Sequence, residues 1–561
     1  MKVSKQFKRT LLIGLTMPMS LFILGVYNGV MQTLYRSGVL QQPATAGINY
    51  YQGLTMHGVI NAIVVTTFFA VVFGHYTVAH YLKKEPSKWS YMLSMFLMVL
   101  GSTIDLIVMA LGKASALYTF YAPLQASPLF YIGTALIIIG SWIAFAGWVK
   151  IWYRWKSENP NSKMPIAILG TFVNFTMWFM ASIPVIYELL GLLTPWALGI
   201  TDKVNVPMTR TLFWMFGHPL VYFWILPAYV GFYTILPKIA GGKLYSGNAA
   251  RLALLLFLIL STPVGVHHQF SEGGISPSIK LWVSILTFAV SIPSFMTAFT
   301  VGASLEYAGR QRGATGLFQW MSKLPWLRSD NYLFGYFICG LILFIFGGLS
   351  GIVNGSYTLN QIVHNTGWVP GHFHMTVAGP SILFILGLTL FMFHHVSGKP
   401  LTSKFTVTII PYLWTVGVAL LAHGLMAGGL MGEPRRTNMG LSYTNPDSPL
   451  FNSRWVPSST VTMIGGLIMG TAALLYFICF FKMVFSKAVE EPTITLPESE
   501  ELHLEKDIPL LLNMRPWIIL SFILIASTYI PSFKNVFKYG KAVENKYQMD
   551  NPSNLINNDK K

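Results

Sequence analysis

Six histidines fall inside or at the lip of long apolar segments of this 561-residue sequence: His57, His218, the adjacent His267 and His268, and His372 with His374. Ionisable side chains in hydrocarbon are costly, face a bundle interior and mark function by default. Neutral imidazole is also a common metal ligand, which makes copper or haem iron the natural reason for gathering six. Each residue of an α-helix turns by ~100°, so His372 and His374 project ~200° apart and cannot share one iron. Each can bind its own haem with the helix standing between the rings, and His57, on another helix, can complete one of them. That predicts one bis-histidine haem for electron transfer and one five-coordinate haem with an open face. His267 and His268 follow Pro263 in S-T-P-V-G-V-H-H-Q, where proline disturbs the helix and makes adjacent ligands sterically feasible. With His218 they form a three-imidazole set suited to copper. Tyr222 lies four residues after His218 in G-H-P-L-V-Y, on the same helical face. A phenol beside a metal can donate both an electron and a proton.

The elements that must hold these groups are membrane helices. At 53% hydrophobic and only 10% charged, the chain is far more apolar than a soluble protein. About thirteen apolar stretches are long enough to cross a ~30 Å hydrocarbon core. The spacing places the second at 57 to 82, the sixth at 208 to 237, the seventh at 250 to 270, the eighth at 280 to 308 and the tenth at 367 to 396. The expected architecture is one all-α domain over 1–561. Its core helices fall at about 10–485, followed by an acidic loop at 488–510, an extra helix at 511–531 and a tail at 532–561. The first segment lacks a small-residue cleavage site and reads as a retained helix.

Lys and Arg collect in alternate loops (Lys83, Lys84 and Lys88; Lys150, Arg154, Lys156 and Lys163; Lys238 and Lys243), which marks that side as cytoplasmic. The N-terminus is then inside and the C-terminus outside. The formal net charge of +18 follows largely from these residues and needs no nucleic-acid partner. Two features misfit: the outer loop with Arg435, Arg436 and Arg454, and the Lys-bearing tail. On this topology the six histidines share the outer half of the membrane. His75, His80, His394 and His395 lie at inner helix ends, where snorkelling is expected. The acidic run from Glu490 to Asp507 reads as a solvated loop. Cys339 and Cys479 each sit mid-span, so a cysteine-built electron-entry site belongs to another subunit.

The motifs W-M-F-G-H-P-L-V-Y-F, T-P-V-G-V-H-H-Q and W-V-P-G-H-F-H, in this order and at this depth, resemble subunit I of the haem-copper oxygen reductases, most nearly their B family. The resemblance covers nearly the whole chain. It implies His57 and His374 as axial ligands of a low-spin haem, His372 as proximal ligand of the oxygen-binding haem, and His218, His267 and His268 as copper ligands. It makes Tyr222 the redox tyrosine, and gives Arg435 and Arg436 the haem propionates, which planar guanidinium donors suit. Leu220 stands where A-family relatives carry a proton-relaying glutamate. What remains is a polar line of Ser246, Thr297, Ser294, Tyr233, Tyr229 and Tyr222, similar to the single proton channel of B-family members. Asn360 stands where relatives can carry an acid. Asp105, Glu188, His364 and His423 receive no role.

The implied function is four-electron reduction of dioxygen to water in a prokaryotic cell membrane, coupled to proton uptake and pumping. Cytochrome c or quinol supplies the electrons, and a copper-bearing subunit II is the expected partner. The rival readings are a nitric-oxide reductase of the same superfamily and, from another class, a transporter or channel without haem.

Overall fold

A computed structural model describes residues 3–40 and 49–549. Among these the regular elements are helices, joined by loops that include two isolated β-bridges. In chain order they are α1 (Lys5–Arg36), α2 (Tyr50–Leu82), α3 (Lys88–Ala110), α4 (Pro128–Glu158), α5 (Ile166–Ala197), α6 (Val206–Thr234), α7 (Gly247–Ser261), α8 (Pro277–Gln311), α9 (Ser329–Gly355), α10 (Trp368–Ser397), α11 (Lys404–Leu430), α12 (Ser453–Phe485) and α13 (Arg515–Met549). All but α7 are long and apolar enough to cross a membrane, and α7 is a shorter apolar helix.

Helix ends depart from the hydropathy pattern where polar side chains find partners. α2 begins at Tyr50, two turns before His57, because Asn49 and Gln52 form a reciprocal capping box. The Gln52 amide also donates to the Met109 carbonyl at 2.8 Å. His57 therefore lies about 10 Å along its helix and not at the lip. α7 stops at Ser261, ahead of Pro263, and the chain re-forms as a 3-10 turn over Gly265–Gln269. The tail expected from 532 is instead the continuation of α13 to Met549. At 1.5 Å per residue its 35 residues exceed a ~30 Å core, so the lysines sit on a helix that outruns the apolar layer. The rest of that expected tail, 550–561, lies outside the described residues, as does Lys2.

The loops sort into two faces. On one, Ser4 bonds Glu85, Lys84 pairs with Glu158, Lys163 with Asp507 and Lys243 with Glu500. On the other, Gln125 bonds the Trp196 carbonyl and Arg210 pairs with Glu272. The acidic run is not a free solvated loop. It forms a strap across the first face: Thr493 N–H donates to the His395 carbonyl, Ser499 N–H to Thr234, and Leu502 N–H to Leu244, at 2.7–2.8 Å. Ile494 and Leu496 are buried beneath it. Backbone donors that meet carbonyls at the ends of α6 and α10 and in the loop before α7 hold it there in spite of its charge.

His75 does not snorkel either. It is fully buried and accepts a 2.8 Å bond at Nδ1 from the Trp148 indole. His80 is likewise buried.

Candidate functional site

Two cavities lie side by side in the bundle. The first, of about 270 Å³, is lined by His57 from α2, His374 from α10 and flanking residues of α1, α11 and α12. The His57 and His374 rings face each other with centroids 6.1 Å apart and planes within 13°. A gap of that size would accommodate two metal–nitrogen bonds of ~2 Å, one from each ring. Each ring is held from behind. His57 Nδ1 is 2.9 Å from the Gly25 carbonyl and His374 Nδ1 is 2.7 Å from that of Pro370. A carbonyl fixes Nδ1 as the protonated nitrogen and leaves Nε2 for a metal. Asn61, one turn beyond His57, adds an amide contact at 3.1 Å.

His57 is followed by a π-helical stretch (Ile60–Val65), and His374 opens another (His374–Ser381). Such bulges are frequent at functional sites.

The second cavity, of about 230 Å³, is lined by His218 and Tyr222 of α6, His267 and His268 of the 3-10 turn, and His372 of α10. His267 Nε2 lies 3.0 Å from His268 Nε2, and His218 Nδ1 lies 3.3 Å from the same atom. These three ligand atoms form a group able to hold one metal ion. Neutral nitrogens brought this close, with no carboxylate among them, fit a copper-type site. Gly265 makes the turn possible, since a Cβ there would lie 2.0 Å from the Trp214 carbonyl oxygen. Behind the ligands, Thr287 meets His267 Nδ1 and Ser350 meets His372 Nδ1, each at 2.9 Å. His218 Nε2 is buried without a partner, and the Tyr222 ring centroid is 5.3 Å from the imidazole. Phe373 and Val377 line both cavities, so the wall between them is the helix that carries His372 and His374.

Arg435 lines both cavities and Arg436 the first. Arg435 bonds Asn365 at 2.8 Å, yet its Nε is buried and unpartnered. Burial and the adjacent Arg436 press its guanidinium down to about 10, still cationic at neutral pH. Two cations beside empty space suit anionic groups such as carboxylates. His364 lines the second cavity with Asn360. Burial, then Arg435, Arg210 and Arg436, hold it down to about 4. His423 is exposed and lines neither cavity.

The expected proton line leads away from the second cavity. Tyr229 and Ser294 line its lower end together. Next come Tyr233 and Thr297, with hydroxyl oxygens 2.5 Å apart. Thr300 and Ser304, both buried, extend the row on α8. Ser304 accepts from Tyr245 N–H at 2.9 Å, and the neighbouring Ser246 donates to Glu505 of the strap at 2.6 Å. Sequence reasoning missed Thr300 and Ser304, although 297, 300 and 304 follow helical spacing. It missed Thr287 and Ser350 too, which carry no signal beyond being hydroxyls in a span.

A polytopic helical bundle that gathers paired imidazoles, a three-imidazole cluster and a neighbouring phenol is a membrane redox protein. The family model for cytochrome c and quinol oxidase polypeptide I matches residues 9–468. Cytochrome c oxidase subunit 1 of Thermus thermophilus is 39% identical over 548 residues, covering 94% of this chain and 95% of the relative. A quinol oxidase subunit 1 of Bacillus subtilis is 23% identical over 379 residues, 65% of this chain and 54% of its own length. Among solved structures, that of a heme-copper terminal oxidase dimer superposes with a TM-score of 0.93 at 43% identity, covering 95% of this chain and 93% of the other. The chain belongs to the cytochrome c and quinol oxidase polypeptide I family, and haem and copper are the cofactors that membership implies.

Proposed function

We propose that this chain is the catalytic subunit of a terminal oxidase that reduces dioxygen to water in a prokaryotic cell membrane, with its N-terminus in the cytoplasm. His57 and His374 hold a low-spin haem, His372 holds the oxygen-binding haem, and His218, His267 and His268 hold one copper ion. Those groups, when bound, supply the electrons and the open coordination site at which dioxygen is reduced. Arg435 and Arg436 bind propionates. Tyr222 keeps its proton at Oη beside the copper ligands and gives it up with an electron when the oxygen–oxygen bond breaks. The hydroxyls of Tyr229, Ser294, Tyr233 and Thr297, with Ser246 near the mouth, pass protons up from the strap face, so that turnover separates charge and is coupled to pumping. Electrons enter on the opposite face by way of subunit II, from cytochrome c where that subunit bears copper and from quinol where it lacks that centre. The 12-helix core with an added α13 acts as one domain.

The observation that carries this reading is the meeting of three imidazole nitrogens in a cavity that His372 and Tyr222 also line. The test is a reduced-minus-oxidised optical spectrum of the purified complex, with metal analysis and oxygen consumption on the same sample. Two haems and one copper per chain, with oxygen uptake, are expected. Absence of haem bands would overturn the reading in favour of a transporter or channel. Iron in excess of haem with no copper would place the chain among nitric-oxide reductases.

A further inference from the structure

An ion pair almost sealed from water stands at the edge of the first cavity. Arg36, the last residue of α1, donates through Nη2 to Glu433 Oε1 at 2.5 Å. The two side chains are only 8% and 1% exposed. The same Nη2 also reaches the Pro434 carbonyl at 3.3 Å, and Tyr50 of α2 lies against the guanidinium. Glu433 takes further donors from Ser458 at 3.2 Å and Ser459 at 3.5 Å. A Cβ at Gly428 would lie 1.8 Å from Glu433 Oε2, so that glycine lets the carboxylate in. Charges this deep are retained only when paired and hydrogen-bonded, and a hydrophobic pair of similar volume often stabilises as well or better. Stability alone does not account for them.

Position does. Glu433 begins the turn that carries Arg435 and Arg436, and its backbone is pinned on both sides. Gly367 N–H donates to the Glu433 carbonyl at 2.7 Å, and Arg435 N–H to the Asn365 carbonyl at 3.0 Å. Arg36 itself lines the first cavity, and its Nε is buried without a partner.

We propose that Arg36 and Glu433 are positioning residues for the low-spin haem: a buried pair of opposite charges that fixes the Pro434–Arg436 turn against α1 and sets the reduction potential of that haem. The proposal rests on the oxidase reading given above. Reducing a haem adds one negative charge, so an unpaired cation at its edge favours the reduced form and an unpaired carboxylate the oxidised form. In the low-polarity interior such a charge is weakly screened.

The test is potentiometric titration of the low-spin haem band in the purified holoenzyme at pH 8. Glu433→Gln, which strands the guanidinium, is expected to raise the midpoint. Arg36→Met, which strands the carboxylate, is expected to lower it, and the double variant to return it close to the unmodified value. A purely structural clamp would move both single variants in one direction. Shifts of the same sign, or no shift with the haem still bound, overturn the proposal. Should the single variants fail to assemble, Ser458→Ala with Ser459→Ala strips two donors from the carboxylate while leaving the pair intact; a lower midpoint supports the proposal and an unmoved one overturns it. Absence of haem bands in the unmodified protein refutes the oxidase reading instead, and is seen before any variant is made.

Discussion

Tyr222 is the side chain on which the proposed chemistry most depends. It lines the second cavity, sits one helical turn from His218 with its ring 5.3 Å from the imidazole, and is the tyrosine of that cavity set beside the three-imidazole group. Replacing it with phenylalanine removes one oxygen atom and keeps the ring packed against Phe257, 5.5 Å away. Oxygen consumption should fall by ~10²–10⁴-fold, the range for loss of a positioned proton donor, while the optical spectrum still shows both haems. Full activity in that variant would remove the role. His218 makes a separate prediction. His218→Ala deletes one of three ligand nitrogens, so metal analysis should find copper lost and haem retained. Both groups were legible in the sequence because a histidine or tyrosine one turn apart in an apolar span has few other reasons to be there. Their supports were not. Thr287 and Ser350 look like any hydroxyl bonded back into its own helix. Arg36 carries no signal of its own in the sequence, because its partner lies 397 positions away.

Hydropathy locates helices well but not their ends, since ends are decided by capping and by contacts from elsewhere in the chain. The capping box at Asn49 moves His57 two turns inward, and backbone bonds turn an acidic loop into a strap. The same limits apply to the 3-10 turn, whose proline was visible but whose glycine contact was not. Gly265→Ala would drive a methyl into the Trp214 carbonyl. Backbone cannot yield as a flexible side chain can, so the turn must shift and carry His267 and His268 with it. Copper content should drop while the spectrum of the low-spin haem, held by other helices, stays unchanged. Between α6 and α8, Thr297→Val removes the hydroxyl that meets Tyr233. Valine keeps the volume and breaks the hydrogen-bonded row, so steady-state turnover should slow by about tenfold, equivalent to ~1.4 kcal/mol. Wild-type proton uptake in that variant would route protons elsewhere.

For the molecule as a whole, the loop charges and the site depth give one consistent polarity. The face crossed by the strap carries the Lys and Arg of alternate connections. The opposite face carries Arg435 and Arg436, which depart from the charge rule where they meet the site: Arg435 lines both cavities and Arg436 the first, as the proposed binding of propionates requires. The lysines of α13 belong to a helix that starts near the strap and ends on the other face, where Gly540 packs against Asn205. If the strap face is cytoplasmic, protons enter from inside and electrons from outside, and each turnover stores energy across the membrane. Cysteine labelling distinguishes the two orientations. The native cysteines, Cys339 and Cys479, are buried and give little background. Lys487 lies exposed at the start of the strap and Asp447 lies exposed in the loop between α11 and α12. An impermeant maleimide added to intact cells should label Asp447→Cys at once and Lys487→Cys only after the membrane is opened. The reverse pattern would invert the polarity, and with it the direction of charge separation assigned to the oxidase.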